Sequence, residues 1–413
     1  MRKILTLCCL LGLCWPAWAQ AASWKAVLRY DKQTAQADLI RRLQKYTALS
    51  NETAKGRTAL AKGLAKELKN IGAQQVKTGA DGSVSALLPA TTRQSVPALA
   101  LGAFLPPGPG AEARLQAKYN GGDLWVDKAQ NLRLTEYDNP QLLEAHGHDL
   151  LLAPNADGRA GAAVLLTLAD YLLGHPAIAH GPIYLFFMQD PHAPAPVQAE
   201  YAYVLNGGRL GEMVTETFSG QSFEAVFEGD LRPDPGQAMG SAFADNRLMA
   251  ADFQTLLPRQ SRPENTSGRR GFVWVTQADT RGAVSTVRGI VRAFDAQEMQ
   301  QLTAQVQQAF QTVKALNPKN KKSSLQFKEE FQNLQGKLPP ALLSSLQAAL
   351  RQEEIPAQTV ALRAQNTAAA LTAQGLPALE LFCGVFNRGT PLEYADVSIM
   401  EAALRTLLTR STL

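Results

Sequence analysis

Apolar positions along this chain change period several times, and the changes mark out its elements. Between residues 23 and 71 they recur at helical spacing, at Leu39, Leu43 and Tyr46 and again at Leu60, Leu64 and Leu68, with the polar turn Ser50-Asn51-Glu52 between the two sets. That spacing predicts helix on both sides of the turn. Residues 75–77 and 84–88 read as short strands around Gly79-Ala80-Asp81-Gly82, a composition that favours a turn. Residues 98–105 are all apolar apart from one glycine, the pattern of a strand buried on both faces of a sheet. The run stops at Pro106-Pro107-Gly108-Pro109-Gly110, which neither strand nor helix continues through.

Helical spacing returns at residues 160–173, followed by Gly181-Pro182, a strand at 183–188 and a second buried strand at 201–205 that ends in Asn206-Gly207-Gly208. Strand, helix and strand in alternation predict βαβ units and a largely parallel sheet, whose chemistry belongs in the loops beyond the C-terminal strand ends. The order then changes to strand (222–227), helix (240–257), strand (271–277), strand (283–293), helix (296–316) and strand (324–331). This is the order of a ferredoxin-like, or split βαβ, sandwich. After it come helix (339–350), strand (359–362), helix (367–374), strand (378–382) and a closing helix (395–408). The expected architecture is an α/β domain with a largely parallel mixed sheet, residues 20–212 and 335–413, interrupted by a smaller α+β domain at 213–334. Insertion at a surface loop costs little loop entropy.

The first residues belong to neither domain. Met1-Arg2-Lys3 precede a mainly apolar run from Ile4 to Trp15 and the small-residue pattern Ala17-Trp18-Ala19, the layout of a secretory signal peptide. Cleavage is expected after Ala19, with Ala21 as the alternative, and the mature chain is expected to be secreted or periplasmic. The run is too short to span a bilayer as a mature helix. Leu7 precedes Cys8 and Leu13 precedes Cys14, which disfavours a lipoprotein. Three of the four cysteines leave with the leader, so only Cys383 remains, as a small apolar residue rather than a disulfide partner. The net charge of +5 is small for 413 residues. The one dense basic stretch, 314–322 with Lys319, Lys321 and Lys322, has no interleaved aromatic residues, which argues against nucleic-acid binding.

Several segments carry a family likeness: Tyr119-Asn120-Gly121-Gly122-Asp123-Leu124, the loop Asn155-Ala156-Asp157-Gly158-Arg159-Ala160-Gly161, Tyr203-Val204-Leu205-Asn206-Gly207-Gly208, Ile290-Val291-Arg292-Ala293-Phe294-Asp295 and Gly375-Leu376-Pro377. With them, essentially the whole chain beyond the leader resembles the M20 metallopeptidase family, in its peptidase T branch of tripeptide aminopeptidases. The resemblance implies a zinc-binding α/β domain carrying an inserted ferredoxin-like lid or dimerisation domain, and so a monomer or a lid-mediated homodimer.

Compared with the family's motifs, the chemistry is depleted. Two hydrolytic metals need several anionic or imidazole ligands and a base for the bridging water. Where the resemblance places a strand ending in His-x-Asp, the chain has Ala103-Phe104-Leu105; the bridging aspartate survives as Asp157, followed by Gly158. The Asp-Glu-Glu motif becomes Asp190-Pro191-His192, and Pro191, at the general-base position, cannot accept a proton. A further aspartate is Asn206, and the C-terminal histidine–glutamate pair is reduced to Glu393 with no histidine after His192. The His-Pro-Gly turn of the lid reads Asp234-Pro235-Gly236, and the substrate loop keeps Arg363 but loses its glycines.

The resulting expectation has no catalytic residue. Arg363, Asn206 and Asp234 remain as ligand-binding candidates, Arg363 because it can pair with a carboxylate. Asp157 and His192 are the metal candidates, with Asp190 and Glu393 as helpers. Asp157 also has a second reading, as the cap of the helix beginning near Arg159. His146-Gly147-His148-Asp149 is a local pair that either chelates or is solvated, and His175 and His180 flank Pro176 at a helix end, where both suit the C-terminal dipole. The leading expectation is an exported protein without a cofactor that binds a peptide-like ligand or a protein partner in a cleft lined by Ala103, Leu105, Asp157, Pro191, Asn206 and Arg363. The alternative is an active aminopeptidase or other hydrolase holding one zinc or other divalent metal on rearranged ligands.

Overall fold

The apolar run near residue 100 becomes the strand Leu99–Phe104, buried along almost its whole length. It is the fourth strand of an eight-stranded sheet. In a computed structural model describing residues 23–190, 193–230, 244–318, 320 and 322–412, the sheet order is Gln74–Thr78, Val84–Leu88, Ile183–Met188, Leu99–Phe104, Tyr201–Leu205, Ala378–Leu381, Glu212–Thr217 and Gln358–Leu362. The four central strands, from Ile183–Met188 to Ala378–Leu381, pair in parallel. Antiparallel pairs flank them on both sides. The sheet is therefore mixed with a parallel centre, as the alternation of elements predicts. The leader 1–19, Ala21, Pro191, His192, Asp234, Lys319 and Lys321 lie outside the described residues.

Both faces of the sheet are covered. One packs against the helices Lys32–Thr47, Arg159–Gly174, Pro340–Gln352 and Val397–Thr412 around Leu101, Leu165, Leu185 and Leu205. The other packs Phe186, Val204 and Ala378 against the short helix Thr367–Ala373. Gly102 makes this possible, because a Cβ there would lie 2.1 Å from the Phe186 ring. The expected helical stretch at 23–71 is divided into Trp24–Leu28, Lys32–Thr47 and Ala54–Asn70. Asp31 and Thr53 begin the second and third helices by accepting the N–H groups of Thr34 and Gly56, each satisfying a donor the helix itself leaves open.

The smaller sheet comprises Ser219–Glu228, Phe272–Arg281, Val284–Ala293 and Ser324–Phe331. Every pair in it is antiparallel, with the second strand in sequence at one edge and the fourth at the other. The helices Asn246–Leu256 and Ala296–Leu316 pack on it around Phe223, Phe227, Phe253 and Phe310. Order, direction and the two packed helices are those of a ferredoxin-like sandwich. The crossing between sheets differs from the expected boundary at residue 213. Glu212–Thr217 pairs with Gln358–Leu362 and Ala378–Leu381 in the large sheet, so the chain leaves that sheet only after Thr217. Phe218 alone separates that strand from Ser219–Glu228 of the smaller sheet.

A third, antiparallel sheet was not expected. It joins Val385–Phe386, Tyr394–Asp396, Leu150–Leu152 and Arg114–Gln116. Strands of two or three residues are too short to display a period, which is why the sequence pattern passes over them. Tyr119, Leu124, Leu134, Leu152 and Tyr394 form its core. This small sheet brings the segments after Leu152 and around Glu393 to the C-terminal ends of the central parallel strands.

Candidate functional site

Those strand ends, where an open α/β sheet presents its chemistry, meet the loop that opens the helix Arg159–Gly174. Asp157 stands two residues before that helix, but it does not cap it. The cap position is Gly158, at φ 70°, and no side chain accepts the first helical N–H groups. Gly158 is required there, because a Cβ would lie 1.8 Å from the carbonyl oxygen of Phe104 at the end of the neighbouring strand. With the cap role absent, the Asp157 carboxylate faces the site; its Oδ1 is buried without a hydrogen-bond partner and lies 4.0 Å from Nη1 of Arg388. Burial raises the Asp157 carboxyl above the usual aspartate range, and the Arg388 charge opposes that rise.

Arg388 is the residue that sequence reasoning missed. Its Nη1 donates to Oδ1 of Asn206 at 2.9 Å, and the Nδ2 of Asn206 reaches Oε2 of Glu380 at 3.4 Å. Glu380 lies in the centre of the large sheet, 2% exposed, opposite Val204 and Val214. Burial pushes its carboxyl up to about 7, helped by Asp157 and opposed by Arg388. Asn206, Gly207, Glu212, Glu380, Phe382 and Arg388 line a small pocket of about 90 Å³. A lone arginine in a polar loop carries no sequence pattern, and its partners Asp157 and Asn206 are distant in the chain, so no sequence signal could have found it.

Glu393 is also buried, but both its oxygens are in use. Oε1 accepts the backbone N–H of Asp157, and Oε2 accepts that of Gly389 at 3.0 Å. Burial raises its carboxyl, and these backbone donors hold the rise back. Arg159, fully buried, donates to Oδ1 of Asn51 at 2.6 Å and to the carbonyl oxygens of Tyr46, Leu49, Pro106 and Asn155. Burial pulls its guanidinium down to about 10, against the nearby charges of Glu393 and Asp157, so it remains a cation at neutral pH.

The other candidates fall elsewhere. Arg363 does not reach the polar centre. Its guanidinium donates to the carbonyl of Gly268 at 3.1 Å and to Oγ1 of Thr266 at 2.8 Å, and lies over the rings of Phe218 and Phe272. Both acceptors are loop oxygens of the smaller unit. Ala103 and Leu105 are buried in the core rather than lining a cleft, because the helix after Arg159 packs directly over them: a Cβ on Gly161 would be 3.1 Å from that of Ala103. Asp190 is exposed at the end of its strand. The two imidazoles of the His-x-His segment address different carboxylates, His146 to Glu136 at 2.6 Å and His148 to Asp396 at 2.8 Å. His175 meets the carbonyl of Tyr171 at 2.9 Å, as suits a helix C-terminus, whereas His180 lies six residues beyond that helix, buried against the carbonyl of Gly181 at 2.7 Å. Cys383 is buried and burial pushes its thiol up.

Among the described residues, the donor set does not fit two metals. Hydrolytic zinc pairs need several ligand atoms with lone pairs free to converge. Here each Glu393 oxygen already accepts a backbone N–H and the Asn206 oxygen accepts from Arg388, which leaves fewer lone pairs to converge on an ion. Among the described residues no three His, Cys, Asp or Glu side chains come together as a metal site.

Comparison with known proteins places this geometry in context. No protein-family model matches the chain. Peptidase T of Geobacillus thermodenitrificans (strain NG80-2) is 27% identical over 400 residues, covering 90% of this chain and 97% of its own. Peptidase T of Exiguobacterium sp. (strain ATCC BAA-1283 / AT1b) is 29% identical with the same coverage. Among solved structures, aminopeptidase PepT from Bacillus cereus ATCC 10987 superposes with a TM-score of 0.70 at 14% identity, over 91% of this chain and 98% of its own. The Bacillus subtilis YXEP protein, described as a dinuclear metal binding peptidase from the M20 family, gives a TM-score of 0.59 at 14% identity, over 92% and 98%. The scaffold is thus that of the M20 peptidases, an α/β fold built on a large mixed sheet. The chain is a relative of that family, and peptidase T is among its relatives across nearly its whole length.

Proposed function

We propose that this protein is an exported relative of the M20 peptidases that no longer hydrolyses peptides with two metals and instead binds a peptide-like ligand or a protein partner. The observation that carries this reading is the polar centre itself. A guanidinium stands between Asp157 and Asn206, and Glu393 spends both oxygens on the backbone. Export is read from the leader Met1–Ala19 alone. No helix among the described residues is long and apolar enough to cross a membrane.

One observation favours a second reading, a metal-dependent aminopeptidase with rearranged ligands: Oδ1 of Asp157 is buried and has no hydrogen-bond partner, as a ligand atom would be. Elemental analysis after incubation with excess zinc, with loosely held metal removed, separates the two when paired with a tripeptide hydrolysis assay. Less than a tenth of an equivalent of zinc and no turnover are expected. One equivalent or more, with turnover that Asp157→Asn abolishes, would establish the second reading.

A further inference from the structure

Carboxylates gathered at the end of a parallel sheet repel one another, and burial makes an uncompensated charge costly. Asp157, Glu380 and Glu393 all lie at this end of the sheet, and each interacts electrostatically with at least one of the others. In a two-metal hydrolase the compensation comes from the bound cations. Among the described residues, Asp157 makes one ion pair, with Arg388, and Arg388 is positioned for it from three directions. Asn206 accepts one of its N–H groups. Gly207, at φ 60°, leaves the space the guanidinium fills, since a Cβ there would be 2.9 Å from its central carbon. Glu393 accepts the N–H of Gly389, and Asn387 bonds Asn139 and the carbonyl of Leu392, which fixes the turn that carries Arg388.

We propose that Arg388 holds the place of the divalent cation in this centre: seated on Gly207 and bonded to Asn206, its guanidinium is the built-in counter-ion of Asp157 and keeps metal ions out. This deepens the reading above and rests on it. The surviving metal-site carboxylates then have structural work. Asp157 anchors the guanidinium, and Glu393 splints the loop that delivers it. A fixed guanidinium also differs from an ion in kind, because it is always charged, needs no loading and offers no open coordination position to water.

A double-mutant cycle tests the proposal through the stability of the intact mature protein in metal-free buffer at pH 7.5. Arg388→Met is expected to be strongly destabilising with Asp157 present and well tolerated with Asp157→Asn, a coupling of roughly tenfold in the unfolding equilibrium constant, within the range that neighbouring charges show. If Arg388→Met alone yields no folded protein, Asp157→Asn and Asp157→Asn/Arg388→Met are compared directly. The double variant is expected to fold with nearly the melting temperature of the single one, and its failure to fold overturns the proposal. Additive effects, with coupling below about twofold, also overturn it. So does a rise in the wild-type melting temperature with zinc or manganese that Asp157→Asn removes. Tripeptide turnover by the wild-type protein would sink the non-hydrolytic reading by a different measurement and leave the cycle to be judged on stability.

Discussion

Gly158 shows how much of this site is decided at single residues. At φ 70° a side chain is strained, and a Cβ would meet the Phe104 carbonyl at 1.8 Å, so Gly158→Ala must displace either the loop or the central strand. It is expected to lower stability by roughly 2–4 kcal/mol, read from the urea midpoint. Gly122 is the control: it has φ 85°, and a Cβ there would have nothing within 4 Å. Gly122→Ala should therefore cost only about 1 kcal/mol, the backbone strain alone. The same position shows what the sequence left open. Its motif singles out Asp157 with two readings, metal ligand and helix cap, and the structure bears on the second: the glycine that displaces Asp157 from the cap acts through a contact with residue 104. Arg388 was illegible for the same reason, since its partners lie at 157 and 206 and no local pattern joins them.

Elements with a clear period were legible and those without one were not. The strand at 99–104 and the helices at 159–174 and 296–316 announce themselves because each buries a whole face. The strands Leu150–Leu152 and Tyr394–Asp396 exist only by pairing with each other and their neighbours. One of these elements carries a pH response. Asp396 caps the closing helix through the N–H groups of Ser398 and Ile399, and its other oxygen holds His148. That hydrogen bond raises the His148 pKa; burial and Lys32 oppose the rise, while Asp149 adds to it. A raised folded-state value means the pair's contribution is fully present below the unfolded histidine value, about 6.5, and is lost as pH climbs through the folded one. The wild-type protein should therefore exceed His148→Gln in stability by more at pH 5.5 than at pH 8.5. His148 is one-third exposed, so the difference should stay below about 1 kcal/mol. Urea denaturation of both proteins at the two pH values measures it, and equal gaps would refute the assignment.

At the scale of the whole molecule, the junction between the large sheet and the ferredoxin-like unit is held by two arginines. Arg269 grips Glu216 through two hydrogen bonds and lies over the Phe294 ring. Arg363 crosses in the other direction, from the large domain to Thr266 and Gly268, against Phe218 and Phe272. Because Arg269 is 63% exposed, its ion pair contributes little, and Arg363, partly buried, flat and stacked, should be the stronger clasp. Arg363→Met removes the two hydrogen bonds and keeps most of the bulk. The expected loss is about 1–2 kcal/mol, with hydrogen exchange at residues 266–270 at least several-fold faster and the rest of the large sheet unchanged. Arg363→Lys should recover little of this, since an ammonium neither forks across two acceptors nor stacks flat on the rings. If Arg363 instead served a ligand carboxylate, as its place in the substrate-loop motif suggests, the substitution would leave exchange at the junction unchanged and weaken only the binding of acidic ligands. The two outcomes are read from one exchange experiment on the unliganded protein, and they decide whether this arginine belongs to a binding site or to the junction.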